Sequence, residues 1–338
     1  MAINVIVVGM GSRGSDWSRE LQTAPAYELV ACVDSNEDVL ESVSRNGFSA
    51  VPRFTNLEAA LEQTNCDAVI VATSVDSHVA PCELAITHGL PVLVEKPFAL
   101  TLDEARRLVS LAAQRSTPLV VAQNYRYMRA FRTARQVIAE GRLGRIGMVV
   151  CQYYRVPQPM AASLARLENS ALWGAGVHHL DALRYILDKP VTKVLAHKFS
   201  MPWGTLLPGA SMSAMLSFCD ETTAIYSLTY ESTGHQFFER GQEFYLRFVG
   251  ERATLHVFQR WLMLCANGKL PRLIKRGKRS VTEERVLLDQ FEDAVLHGAE
   301  PDSSGADNLQ TMAIVEACLR SAADGSSVNP QELLNGEL

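Results

Sequence analysis

Two residues in this chain are placed to handle protons. Lys96 closes the stretch Pro91-Val92-Leu93-Val94-Glu95-Lys96-Pro97. An apolar run such as Val92 to Val94 suits a strand buried on both faces of a parallel sheet, and a Glu-Lys pair straight after it asks for a reason to hold charge there. Ligands of open α/β sheets bind just outside the carboxyl ends of the strands, which puts Lys96 at the mouth of a cleft. Pro97 lacks an N–H and restrains the residue before it to an extended backbone, so pairing ends and the lysine is aimed outward. Taken alone, the tripeptide reads equally as a strand end with a solvated lysine. The second residue is His178, in Trp173-Gly174-Ala175-Gly176-Val177-His178-His179-Leu180-Asp181. A helix from about Gly176 to Leu187 would put His178, Asp181 and Tyr185 on one face. An imidazole needs little tuning to take a proton near neutral pH. The plain alternative is a helix start packed on a sheet.

A third constellation points to a nucleotide. Ile3 to Val8 reads as a strand, and Gly9-Met10-Gly11-Ser12-Arg13-Gly14 follows it directly and opens a helix to about Leu21. That strand, turn and helix context is what a dinucleotide fingerprint requires. Gly9 permits the tight turn, Gly11 lets backbone approach a pyrophosphate, and Gly14 lets the helix pack close to the strand. The helix start, from Ser12 and Arg13, offers N–H groups to the phosphates. A second strand, Tyr27 to Val33, ends at Asp34, twenty residues beyond Gly14. A carboxylate there accepts from ribose hydroxyls and repels a 2′-phosphate, which favours NAD over NADP. Asp34 also suits a helix N-cap before Ser35-Asn36-Glu37.

The elements that would carry these groups alternate. Helix, short strand and helix occupy Asp38 to Gln63, Asp67 to Ala72 is an apolar strand, and Asp76 to His88 is a helix. Thr73 and Ser74, at that strand's end, should lie beside the cofactor. His78 opens the next helix, where it touches the ribose or nicotinamide side or serves as a surface or capping histidine. A helix over Leu102 to Arg115 and a strand over Leu119 to Gln123 complete the series, and repeated units of this kind predict a doubly wound parallel sheet of the α/β class.

The 338 residues suit two domains, divided here as 1–123 and 124–338. A formal net charge of −5 argues against nucleic acid as partner. The seven cysteines are scattered without a C-x-x-C pair and read as buried thiols, as suits a reducing cytoplasm. No signal peptide precedes the first strand and no apolar run reaches membrane-spanning length, so no membrane enters the reading, and no metal is expected.

Gly9-x-Gly11-x-x-Gly14, Ala72-Thr73 with His78, Val94-Glu95-Lys96-Pro97 and Asn124-Tyr125-Arg126 together resemble the glucose-fructose oxidoreductase, inositol dehydrogenase and MocA family, along nearly the whole chain. The resemblance implies a Rossmann domain followed by an α+β domain with an open, mostly antiparallel sheet, which pairs into homodimers or homotetramers. It implies a dehydrogenase acting on a secondary hydroxyl of a small-molecule sugar, cyclitol or other polyol. Lys96 would stand beside the nicotinamide and hold the reacting oxygen, with His178 as the proton acceptor. A lysine in a half-buried cleft near a cationic cofactor has its pKa lowered and can join a proton relay. Glu95, Thr73 and His78 join Gly9, Gly11, Ser12, Arg13, Gly14 and Asp34 as cofactor contacts. Tyr153, Trp173 and Asp181 are assigned to substrate. Many members carry an Asp where this chain has Gly174, either because the enzyme works without that acid or because the glycine makes room for a bulkier substrate. Two further readings stay open: transient oxidation that assists an elimination or glycosidic cleavage, and a nucleotide-binding regulator without turnover.

In the second domain, Tyr127 to Glu140 is expected to be helical. Strands are expected at Ile146 to Arg155, Val191 to Ser200, Ser211 to Phe218, Thr222 to Glu231, Glu243 to Val249 and Thr254 to Phe258. The loops Pro157 to Asn169 and Ser200 to Ala210, the latter with Trp203, are long enough to be lids or partner contacts. Lys269 to Arg279 reads as a solvated basic hairpin around Gly277, with a phosphate or acidic partner as the alternative. Helices over Val286 to His297 and Ala306 to Ala323 dock on the body.

Overall fold

The computed structural model describes residues 2–158, 160, 162–206, 209–233, 242–258, 261–275, 277 and 281–336. They form two compact units, Met1–Gln123 with Val281–Leu309, and Asn124–Ser280 with Gln310–Leu338.

The first unit holds a six-stranded parallel sheet in the order β3-β2-β1-β4-β5-β6. The strands are β1 (Ile3–Val8), β2 (Tyr27–Val33), β3 (Arg53–Phe54), β4 (Ala68–Val71), β5 (Val92–Val94) and β6 (Leu119–Val121). Every residue of β4, β5 and β6 is buried, which is why these strands are unbroken apolar runs without alternation. The connecting helices are α1 (Ser12–Gln22), α2 (Glu37–Val43), α3 (Leu57–Gln63), α4 (Val79–Thr87) and α5 (Leu102–Arg115). The start of α5 is set by a capping box, in which Thr101 Oγ1 accepts from Glu104 N–H and Glu104 Oε2 accepts from Thr101 N–H, both at 3.2 Å. Strand order reverses between β1 and β4, so the loops after these two strands diverge and leave a crevice at their carboxyl ends. The late segment 281–309 also belongs to this unit. Tyr27 Oη donates to the Leu288 carbonyl at 2.6 Å and Val121 N–H donates to Ser303 O at 2.8 Å.

The second unit contains α6 (Arg129–Ala139), the short α7 (Ala162–Ala165), α8 (Val177–Leu187) and an eight-stranded sheet. Its strands are β7 (Ile146–Arg155), β8 (Val191–Phe199), β9 (Ser211–Phe218), β10 (Thr223–Thr229), β11 (Gln242–Gly250), β12 (Ala253–Phe258), β13 (Leu262–Ala266) and β14 (Arg272–Ile274), in the order β14-β13-β12-β11-β7-β10-β9-β8. All neighbours run antiparallel except β7 and β10, which are parallel. One face is apolar and buried. On the other, Ile225, Met215 and Leu195 pair across β10, β9 and β8 and are each more than two-fifths exposed.

Several expectations need correction. The strands β13 and β14 were not anticipated, and the basic stretch supplies β14, with the turn at Gly268 (φ +70°) before it. Arg276, Lys278 and Arg279 of that stretch lie outside the described residues. Cys219 is exposed, in the turn between β9 and β10, and is not a buried thiol. Among the described residues no helix is long and apolar enough to cross a membrane, and no group of three His, Cys, Asp or Glu could hold a metal ion.

Candidate active site

At the end of β1 the glycines are set by close approach. A Cβ on Gly9, whose φ is +87°, would stand 2.4 Å from Thr73 N, and one on Gly14 would stand 1.8 Å from Gly9 O. Gly11 differs: a Cβ there meets nothing within 4 Å, so packing does not require the glycine and the space above it is open. Gly11 is also the N-cap of α1 and offers no side chain to it. The first-turn N–H groups therefore await water or an anion. Beside them lies a cleft of about 570 Å³ lined by Gly9, Asp34, Ser35, Thr73 and Ser74 among others. Glu58 and Asp76 add carboxylates to its wall. Asp34 Oδ2 accepts from Met10 N–H at 2.7 Å and Oδ1 from Asn36 N–H at 2.9 Å, which fixes the carboxylate at the cleft. Asn36, not Asp34, caps α2, accepting from Asp38 N–H at 2.9 Å.

Lys96 follows β5, is half-buried, and is joined to Pro97 by a cis peptide. Burial pulls its ammonium down to about 8, Arg13 pushes the same way, and Glu95 opposes them. Glu95 is only 6% exposed and turns toward α1. Its Oε1 accepts from Arg13 Nε at 2.7 Å and from Trp17 Nε1 at 2.9 Å. Arg13 also reaches Asp16 at 3.3 Å and Glu284 at 3.4 Å. Glu95 and Arg13, expected as cofactor contacts, thus brace the strand end against the glycine-turn helix. For His78 the structure overturns the surface or capping reading. It is 2% exposed rather than at the surface, and it makes no side-chain cap to its helix. Its Nδ1 lies 2.8 Å from Pro97 O and its Nε2 3.2 Å from Thr73 O. Burial holds its pKa below the usual imidazole range; since both facing oxygens only accept, the neutral ring donates its one N–H to one of the two strand ends that present Thr73 and Lys96 and packs against the other.

In the second unit a π-helical turn, Leu172–Gly176, leads into α8. His178 stacks on Tyr125 with ring centroids 4.1 Å apart and planes 9° from parallel. His179 points elsewhere: it is fully buried, its Nδ1 lies 3.1 Å from Tyr226 Oη, and it stacks on Phe244 at 4.8 Å. Tyr153, on β7, lies 4.6 Å from His179 and 6.3 Å from Tyr230 between ring centroids. Trp173 and Tyr153 are both largely buried. Asp181, assigned to substrate from sequence, is fully buried in a salt bridge. Arg126 grips it through Nε and Nη2, each at 2.6 Å, and Thr311 Oγ1 donates to it at 2.9 Å. Arg126 also lies over Tyr185 at 5.8 Å, which accounts for the shared Asp181 and Tyr185 face.

Gly174 does not leave an empty place. A Cβ there would stand 2.6 Å from Tyr230 Oη and 2.9 Å from Leu164 Cδ2, so no room is kept for a larger substrate at that point. Gly174→Ala should therefore cost about 1–3 kcal/mol of stability by overpacking. Much of that should return in the Gly174→Ala/Tyr230→Phe double variant, measured by denaturant unfolding; equal losses in both would contradict the contact. Sequence reasoning missed Tyr230, Arg126 as the partner of Asp181, and Arg155. Only the Asn124-Tyr125-Arg126 motif carried a signal for any of them.

Residues 3–123 match the family model described as the oxidoreductase family with NAD-binding Rossmann fold, and residues 131–256 match the GFO/IDH/MocA C-terminal domain. A D-apiose dehydrogenase of Rhizobium rhizogenes is 27% identical over 304 residues, 83% of this chain and 84% of that protein. An inositol 2-dehydrogenase of Saccharopolyspora erythraea is 26% identical over 349 residues, covering 100% of this chain and 99% of the relative. The fold is shared with an Agrobacterium radiobacter oxidoreductase solved in complex with NAD+, L-tartaric acid and magnesium, at TM-score 0.88 and 23% identity over 98% of this chain and 100% of that one. The parallel sheet, the glycine turn with its open space at Gly11, and matches spanning both units identify this chain as a member of the GFO/IDH/MocA family of NAD-binding oxidoreductases.

Proposed function

We propose that this chain oxidises a secondary hydroxyl of a sugar, cyclitol or related polyol, reversibly and with NAD. The observation that carries the reading is Lys96, a half-buried lysine lowered to about 8 at the carboxyl end of β5. Strongly shifted groups of this kind gather at functional sites. The names of the two dehydrogenase relatives support a polyhydroxylated substrate.

The open space at Gly11 and the first-turn N–H groups of α1 fit a pyrophosphate, and Asp34 fits the ribose hydroxyls. NAD, when bound, supplies the hydride acceptor. Lys96 holds the substrate oxygen and offsets the negative charge that grows as its proton leaves. His178 accepts that proton, while the carbon gives up its hydride and becomes a carbonyl. Glu95 and His78 are positioning residues: one braces Lys96 from α1, the other from Thr73.

A panel of sugars and cyclitols followed by nicotinamide absorbance tests the reading. Net reduction of NAD by at least one member is expected, and silence across the panel with bound NAD would remove it. Asp34→Ala should weaken NAD binding and relax discrimination against NADP by roughly tenfold or more, since the carboxylate that repels a 2′-phosphate is gone. A native chain that prefers NADP would contradict the assignment of Asp34.

A further inference from the structure

We propose that Arg155 reads an anion, so that the polyol oxidised by this chain carries a carboxylate: a sugar acid rather than a neutral sugar. The proposal rests on the dehydrogenase reading above and names its substrate class.

Arg155 is the last residue of β7. The parallel register pairs Tyr154 with Thr229, so Arg155 and Tyr230 follow side by side where the two strands end. The guanidinium lies over the Tyr230 ring, 4.9 Å from its centroid. Its Nη2 donates to Gln158 Oε1 at 3.1 Å. Its Nε is shut off from solvent and meets no acceptor among the described residues. Nor does any described carboxylate pair with it. Glu231, next in sequence to Tyr230, is turned to the backbone N–H groups of Met201 and Leu206 at 3.4 and 3.0 Å.

The surroundings place this charge in the His178 cluster. The Tyr230 ring under its guanidinium lies 6.3 Å from Tyr153, Tyr153 lies 4.6 Å from His179, and His179 lies 6.0 Å from Tyr125, all between ring centroids. Tyr125 is the ring that stacks on His178. Tyr230 is the residue whose hydroxyl stands against Gly174, at the position where the family resemblance leads one to expect an acid. Among the described residues the niche therefore holds a cation, three phenols and a neutral glycine, with no carboxylate paired to the cation. A partly desolvated guanidinium held only by neutral groups, Gln158 and Tyr230, costs free energy that a bound carboxylate would recover. With Nε shut off, a carboxylate would meet this half-buried guanidinium through its Nη groups, by charge-assisted N–H···O bonds.

The test uses the full chain with NAD or NADH and pairs of probes that differ only in the acid: aldonates and uronates against the matching alditols and aldoses. Two quantities are read, kcat/KM for oxidation and affinity by calorimetry. The native chain should favour the acids at least tenfold. Arg155→Met, which keeps the apolar stem over Tyr230, should lower kcat/KM or affinity for the acids about a hundredfold and leave neutral members within about threefold. Arg155→Lys, which keeps the charge but not the fork, should fall between them. Neutral members preferred by the native chain, acids neither bound nor oxidised, or an acid preference that survives Arg155→Met would each overturn the proposal. If acids bind in an Arg155-dependent way and nothing is oxidised, the dehydrogenase reading fails and the anion site stands. If neutral polyols are oxidised with no acid preference, the reverse holds.

Discussion

Lys96→Ala should lower kcat/KM for oxidation by a factor on the order of a hundred or more, with NAD affinity changed only a few-fold. The two effects separate because phosphate binding is assigned to the Gly9 to Gly14 turn, whose geometry is set by Thr73 and Gly9 itself. The pH dependence sharpens the test. With its pKa lowered from 10.5 to about 8, Lys96 is an ammonium below pH 8, the form that donates to the substrate oxygen, and loses that proton above it. Oxidation should therefore show an alkaline limb near pH 8, and Lys96→Arg, which stays charged, should lack it. Stability runs the other way. Burial disfavours the ammonium, so the penalty is full below about pH 8 and is relieved as pH rises toward 10.5, the unfolded value. Lys96→Ala should accordingly be no less stable than the native chain at neutral pH. Full turnover in Lys96→Ala, or an unchanged limb in Lys96→Arg, would remove Lys96 from the chemistry.

Asp181→Ala should be among the most destabilising single changes in the second unit. It leaves Arg126, itself 3% exposed, as a buried cation without its bidentate partner. Losing one half of such a pair costs about 3–5 kcal/mol, which for a unit of this size lowers the unfolding midpoint by roughly 10 °C. The Arg126→Met/Asp181→Leu double variant should regain much of the loss, because apolar side chains of similar volume replace a buried pair at little cost. Thermal and denaturant unfolding check both. Substrate KM adds a separate readout: the salt bridge predicts it nearly unchanged in whatever Asp181→Ala remains folded, whereas a direct substrate contact predicts a steep rise. A loss under about 1 kcal/mol would mean that the pair is not what holds α8.

The parts of the fold that were legible had local causes. The apolar β4, β5 and β6 and the helices between them follow from a period or a cap within a dozen residues, and the glycine turn from the approach of Gly14 to Gly9, although Gly9 also meets the distant Thr73. Lys96 was legible for the same reason, since a charge directly after a buried strand and before a proline is a local contradiction. His78 was misread because nothing near it in sequence announces burial; its two acceptors are Thr73 O and Pro97 O, and the second arrives only when β4 and β5 pair. The edge strand β14 was lost in a basic stretch, where an edge strand need not alternate, and β13 is a five-residue apolar run just before it.

By itself, then, the chain's order of residues determined the parallel sheet, its cofactor turn, the acid at the end of β2 and the lysine at the end of β5, because hydrophobic period, glycine sterics and strand termination act over short distances. Only the tertiary structure decided which polar groups are used up and which are left over. Asp181 is spent on Arg126, 55 positions earlier, Glu95 on Arg13, 82 positions earlier, and the hydroxyl of Tyr230 stands against Gly174. The return of residues 281–309 to the first unit is a decision of the same kind. The physical reason is that burial and pairing between distant segments depend on strand register and on which surfaces close over one another, and no local pattern encodes them. Arg155 shows the consequence: in sequence it is one arginine at a strand end, and in the fold it lies over Tyr230 and donates to Gln158, with no carboxylate paired to it among the described residues.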